Sequence, residues 1–131
     1  MQAKGTFEVK ILPVEGTPIE TEAGIGRMTI DKTWRGDLSG TSKGVMITSM
    51  TESTGAMAYV ALEKFNGELN GKSGTFYFSH SATMIKGDAS SGALNITVVR
   101  SSATGELAGL SGKLDINVDG GGHSYNLDYQ L

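Results

Sequence analysis

The chain has 131 residues, a length that suits one domain around one core. It carries 19 glycines against 2 prolines, no cysteine, and a formal charge of -3 from scattered acidic and basic residues. The absence of cysteine excludes disulfides, thiol nucleophiles and cysteine metal sites, and the lack of a basic footprint excludes nucleic acid as a partner.

Strand-like alternation dominates the chain. Phe7, Val9 and Ile11 alternate with Thr6, Glu8 and Lys10, which predicts a first strand. The residues before it contain no apolar h-region, and no apolar run reaches the ~18 residues of a membrane span. The expectation is a cytoplasmic protein with no membrane partner. From Pro13 to Ala23 both prolines and three glutamates predict a solvated loop. Met28, Ile30 and Trp34 alternate with Arg27, Thr29, Asp31 and Thr33 in a second strand, and Lys32 shares the apolar face. Further strands are predicted at about 37–51, 55–65, 68–84, 92–100, 105–119 and 122–131. No window of twelve residues holds a helical stripe free of glycine, so the eight strands should be antiparallel.

The motif G-[DE]-L-x-G-x-S occurs three times, starting at Gly36, Gly67 and Gly105. The copies start 31 and 38 residues apart, about two strands and two turns, so all three should lie at one end of an up-and-down meander. The leading glycine suits a tight turn, the leucine points inward, and the later glycine lets a long strand bend. Apolar parity changes between Leu107 and Leu114, which a bulge near Gly109–Gly112 would explain. Regular bends in long strands are what closure of a small barrel requires.

The segments "GTFEV", "ALEKFNGELNGKSGTFYFSHS", "TGELAGLSGK" and "HSYNLDY" together resemble a family of small bacterial domains of unknown function. That family is placed with the allene oxide cyclase-like, lipocalin-sized barrels. The resemblance covers nearly the whole chain, but Ser101-Ser102-Ala103 stands where the family usually has a glycine-serine-glycine run. It implies a single all-β domain over residues 1–131, an eight-stranded antiparallel up-and-down barrel, and self-association into an oligomer. The family has no settled activity, so no catalytic residue follows from the resemblance, and no cofactor is expected. The plant cyclases of that barrel type act on an unsaturated fatty-acid epoxide, which is a likeness of fold alone.

With odd strands running from the motif-bearing end to the opposite mouth, Arg27, Tyr59, His80 and His123 fall towards the mouth. Phe76, Phe78 and His80 share one face of the fifth strand, and Tyr125 follows His123 on the eighth. Trp34, Glu63 and Arg100 fall towards the motif-bearing end, where a Glu63–Arg100 ion pair is expected. An apolar lumen with polar ends suits a small apolar or amphipathic ligand. His80 is the candidate general acid or base. Arg100 suits a carboxylate, and Trp34, Tyr59 and Tyr77 suit pocket walls. No metal site is expected, because two histidines with a distant Glu63 make a poor zinc set.

Three functions remain open on sequence: a ligand-binding barrel, an enzyme of cyclase, isomerase or lyase type using His80, and a filled barrel serving assembly. Strand 4 is apolar on both faces, which points to a homo-oligomer. Gly40-Thr41-Ser42-Lys43-Gly44 matches a hydrolase nucleophile-elbow pattern, but strand-like "VMITSM" follows where that motif needs a helix. Asn95-Ile96-Thr97 matches a glycosylation pattern within a predicted strand.

Overall fold

The computed structural model describes the backbone of residues 1–131 and every side chain except those of Ala89, Ser91 and Asp119. Eight strands close into one antiparallel barrel in sequence order, β1 (Gln2–Val14), β2 (Gly26–Gly36), β3 (Leu38–Thr51), β4 (Ala56–Leu69), β5 (Lys72–Ile85), β6 (Asp88–Val98), β7 (Ser111–Asp119) and β8 (Gly122–Gln130). β8 pairs back onto β1, with Gly5 opposite Tyr125. Among the described residues no helix is long and apolar enough to cross a membrane.

All three copies of the repeated motif lie at one end, here called the bottom. Their leucines, Leu38, Leu69 and Leu107, are fully buried and plug it. The turns differ in kind. Asp37 alone links β2 to β3, whereas Asn70 and Gly71 turn β4 into β5 with positive φ at both residues, as a tight hairpin demands. Gly40 and Gly67 are register partners across β3 and β4. A Cβ on either would lie 2.8 Å from the other's Cα, so the glycines permit the close approach of these strands.

Two expected features differ. Residues 105–110 are not strand: Gly105–Leu107 forms a 3-10 turn, and β7 begins only at Ser111. The change of apolar parity therefore reflects a bottom plug rather than a bulge. Leu107 and Leu110 both face the core, and the Thr104 amide donates to the Thr75 carbonyl at 2.8 Å. The predicted loop at 13–23 is also partly regular. β1 runs on to Val14, and α1 (Pro18–Ala23) follows with a Thr17–Glu20 capping box.

The interior has two unlike halves. In the lower half the inward positions carry large rings, with Trp34, Phe65, Phe76, Phe78 and Tyr125 all at or below 2% exposure. Trp34 meets Tyr125 edge-on at 5.0 Å and Phe65 at 6.3 Å between centroids. Each such fully buried ring contributes about 1.5–3 kcal/mol of transfer free energy. Along β5 the inward side chains run Phe76, Phe78, His80, Ala82, Met84, so ring volume gives out halfway up. The upper half is left open.

The wall is also uneven. Among the described residues β6 and β7 share only two register pairs, Ile96–Leu114 and Thr97–Lys113, whereas β4 and β5 pair along their whole length. Just above Ile96, Ala93, Leu94 and Asn95 of β6 have register partners on β5 but none on β7 across this seam. Leu94 and Val118, which flank it, are exposed.

A candidate binding site in the upper lumen

The open half is a cavity of about 520 Å³ that reaches the mouth of the barrel. Its wall is apolar and supplied by β1 to β8, including Val9, Ile11, Ile30, Leu94 and Ile116. Every methionine after Met1 lines it: Met28, Met46, Met50, Met57 and Met84. Register explains their convergence. Met28 is opposite Met46, and Met50, Met57 and Met84 form one row across β3, β4 and β5.

The floor is polar. Lys32 and His80 both border the cavity, and each is only 5% exposed. Behind them lies Glu63, fully buried on β4. The Lys32 ammonium donates to Glu63 Oε1 at 3.1 Å, and His80 Nε2 shares a 2.8 Å hydrogen bond with the same oxygen. Ser42 Oγ donates to Oε2 at 2.8 Å and itself accepts from Trp34 Nε1 at 2.9 Å. The Lys32 ammonium also stands 4.8 Å from the Phe7 ring and 5.2 Å from that of Trp34. Gly44 makes room for the carboxylate: a Cβ there would lie 2.7 Å from Glu63 Cβ.

Burial pushes the Glu63 carboxyl up, but the His80 hydrogen bond, the charges of Lys32 and His80, and the Ser42 hydroxyl together bring it below its ordinary value. Glu63 is thus ionised, and Nε2 of His80 carries the proton in their shared bond. Tyr59, half-buried beside the His80 ring, has its phenol pushed up by burial and by the Glu63 charge.

Of the predicted site residues, the structure gathers Tyr59, His80 and His123 on the cavity. His123 stacks on Phe7 with ring centroids 5.0 Å apart. Trp34, Phe76, Phe78 and Tyr125 are packed in the lower core. The Tyr125 hydroxyl ties the bottom, accepting from the Leu38 amide at 2.9 Å and lying 3.0 Å from the Arg35 carbonyl. Tyr77 points outward from β5 and is exposed, away from any lumen wall.

Three expected placements are corrected. Glu63 is not paired with Arg100 at the bottom; it holds Lys32 and His80 at mid-height, and Arg100 is exposed after the end of β6. Glu63 and His80 are accordingly neighbours, not at opposite ends. Arg27 lies at the mouth end of β2 but does not line the cavity. Its parity places it outside β2, where its guanidinium grips Glu20 of α1 at 3.0 Å.

Lys32 was visible in sequence as a charge on an apolar face. Ser42 was hidden inside a motif that suggested other chemistry. Ser42 sits in mid-strand with its hydroxyl committed to Glu63, which is not a nucleophile elbow. Among the described residues no group of three His, Asp or Glu is placed to hold a metal ion.

A search of curated proteins found no match. The chain is similar to a protein of unknown function from Shewanella oneidensis MR-1 whose crystal structure is known. The two are 35% identical, the alignment covers 100% of this chain and 96% of that one, and the TM-score is 0.88. That protein belongs to the DUF3224 family of unknown function. The model of the same family matches residues 3–129, and this eight-stranded barrel belongs to the DUF3224 family.

Proposed function

We propose that the barrel binds a small amphipathic molecule in its upper lumen. The observation that carries this reading is the cavity itself: about 520 Å³ of open space with apolar walls and two polar groups converging on its floor. Volumes of about 300–1,000 Å³ lined this way are typical of small-molecule sites. The same space counts against a filled barrel. Methionines add adaptability, because their unbranched thioethers repack around ligands of different shape. The thinly paired seam between β6 and β7 supports a second way in beside the mouth.

Native mass spectrometry of gently purified protein tests this reading. A discrete added mass, lost on denaturation, is expected. The variant Ala82→Trp, which fills the cavity from β5, should lose it. Retention of the same mass by Ala82→Trp would place the molecule elsewhere and overturn the reading.

One observation favours a second reading, in which His80 moves a proton on the bound molecule. Glu63 Oε1 fixes the ring through Nε2 at 2.8 Å, which leaves Nδ1 as the basic atom of the neutral ring. On this reading His80→Ala abolishes conversion of the retained molecule. Conversion that survives in His80→Ala would exclude it.

A further inference from the structure

We infer that the ligand of this cavity is an amphipathic carboxylate, held head-down on Lys32 and His80 and bound together with a proton. The inference rests on the ligand-binding reading above and adds the head-group class.

The floor holds two cationic or potentially cationic donors for one carboxylate. Lys32 has three N–H donors and gives one to Glu63. His80 spends Nε2 on Glu63, and no described residue bonds its Nδ1. Glu63, by contrast, does not border the cavity. What a ligand meets is therefore the donor side of the cluster, with its negative charge hidden behind. An ammonium ligand would meet Lys32 first and be repelled. An alcohol could bridge Lys32 and a neutral Nδ1 but would bring no charge to meet the Lys32 ammonium. A carboxylate has two oxygens for the spare Lys32 protons and His80 Nδ1, and such charge-assisted bonds are the strong ones.

Charge balance adds the proton. Lys32 and Glu63 cancel when both are ionised. A bound carboxylate would leave one uncompensated negative charge beside an apolar wall, which is costly. The titratable groups facing His80 are Lys32, Glu63, Tyr59 and, at the rim, His123. Of these, only an imidazole readily changes charge between pH 5 and 8. Protonated His80 would donate from Nε2 to Glu63 and from Nδ1 to the ligand, and the floor with its ligand would be neutral. The apolar chain then runs up between the methionines.

The test is isothermal titration of the wild-type protein with decanoate, decan-1-ol and decylamine, three probes with one chain and three heads. Decanoate should bind about tenfold or more tighter than decanol, and decylamine weakest. Titration at pH 7.5 in phosphate and in Tris, whose ionisation enthalpies differ, should reveal net proton uptake with decanoate and none with decanol. Decanoate affinity should fall from pH 6 to pH 8. His80→Gln should lose the proton uptake that accompanies decanoate binding. Equal binding of all three probes, or decanoate binding without proton uptake, would overturn the head-group assignment and leave the cavity reading standing. Failure of all three to bind would overturn both.

Discussion

Replacing Glu63 by glutamine should cost far more than the loss of one hydrogen bond. The substitution keeps the shape of the side chain and removes its charge. Lys32, 5% exposed, then keeps an ammonium with no anion beside it, and Ser42 and His80 lose a charged acceptor. Removing one partner of a buried ion pair typically costs about 3–5 kcal/mol. Because Lys32 borders the open cavity, water can reach it, which sets the cost near the lower end, about 3 kcal/mol. For a chain of this size that is a fall in Tm on the order of 10 °C. Against a total stability of about 5–15 kcal/mol the loss is readily measured. Removing both charges is different: Lys32→Met with Glu63→Gln should return to within about 1 kcal/mol of wild type. Urea unfolding followed by the emission of Trp34, the single tryptophan, reads the wild type and both variants. That indole donates to Ser42, one bond from Glu63, so it also reports local disturbance. A Glu63→Gln variant within about 1 kcal/mol of wild type, or a double variant no better than the single, would refute the view that these charges depend on each other.

Four other outcomes follow. The folded value of Glu63 lies below its ordinary 4.5, so ionised Glu63 contributes stability above that pH and loses it as pH falls through the folded value; the acid limb of a stability–pH curve should be shallower in Glu63→Gln. Leu107→Ala, at the bottom plug, should destabilise by about 2–5 kcal/mol by leaving a cavity, yet leave decanoate affinity unchanged because the site lies in the other half. Gly44→Ala places a Cβ 2.2 Å from the Leu62 carbonyl oxygen and 2.7 Å from Glu63 Cβ; a cost of about 1–3 kcal/mol and altered Trp34 emission in the folded state are expected from urea unfolding. Val60 and Leu62 are exposed on the outer face of β4, with their register partners Ile47 and Val45 beside them on β3; sedimentation should find an oligomer that Leu62→Glu dissociates, and a monomeric wild type at high concentration would contradict this.

Much of the barrel was legible in period-two alternation, because inward and outward positions alternate whatever the register. Depth along a strand was less legible. Ending the fourth strand near residue 65 put Glu63 at the bottom, but β4 runs on to Leu69, which lifts Glu63 to mid-height opposite Gly44 and Phe78. Its bond to Lys32, two strands away, depends on strand tilt and stagger, which no single strand's sequence encodes. Lys32 on an apolar face was the readable sign that a buried anion was needed. The methionines gave no such sign, since their shared place depends on registers such as Met57 opposite Met84. Two other misreadings had cues. Thr17 and Glu20 carry the spacing of a capping box, with Pro18 at the first helical position, so α1 was recoverable. The outward parity of Arg27 follows from Met28 pointing in, and its place at the strand end does not alter it.

The methionines also offer the most direct test of ligand binding in the upper lumen. With methyl-¹³C methionine incorporated, the protein should give six methyl resonances, of which five belong to residues lining the cavity. Met1 sits apart, its backbone bonded to Tyr129 at the other end of the barrel. On addition of decanoate the five cavity methyl signals should shift and saturate together while the Met1 signal stays in place. If the five stay in place while decanoate binds, or if Met1 alone moves, the ligand occupies another part of the molecule and the account is wrong.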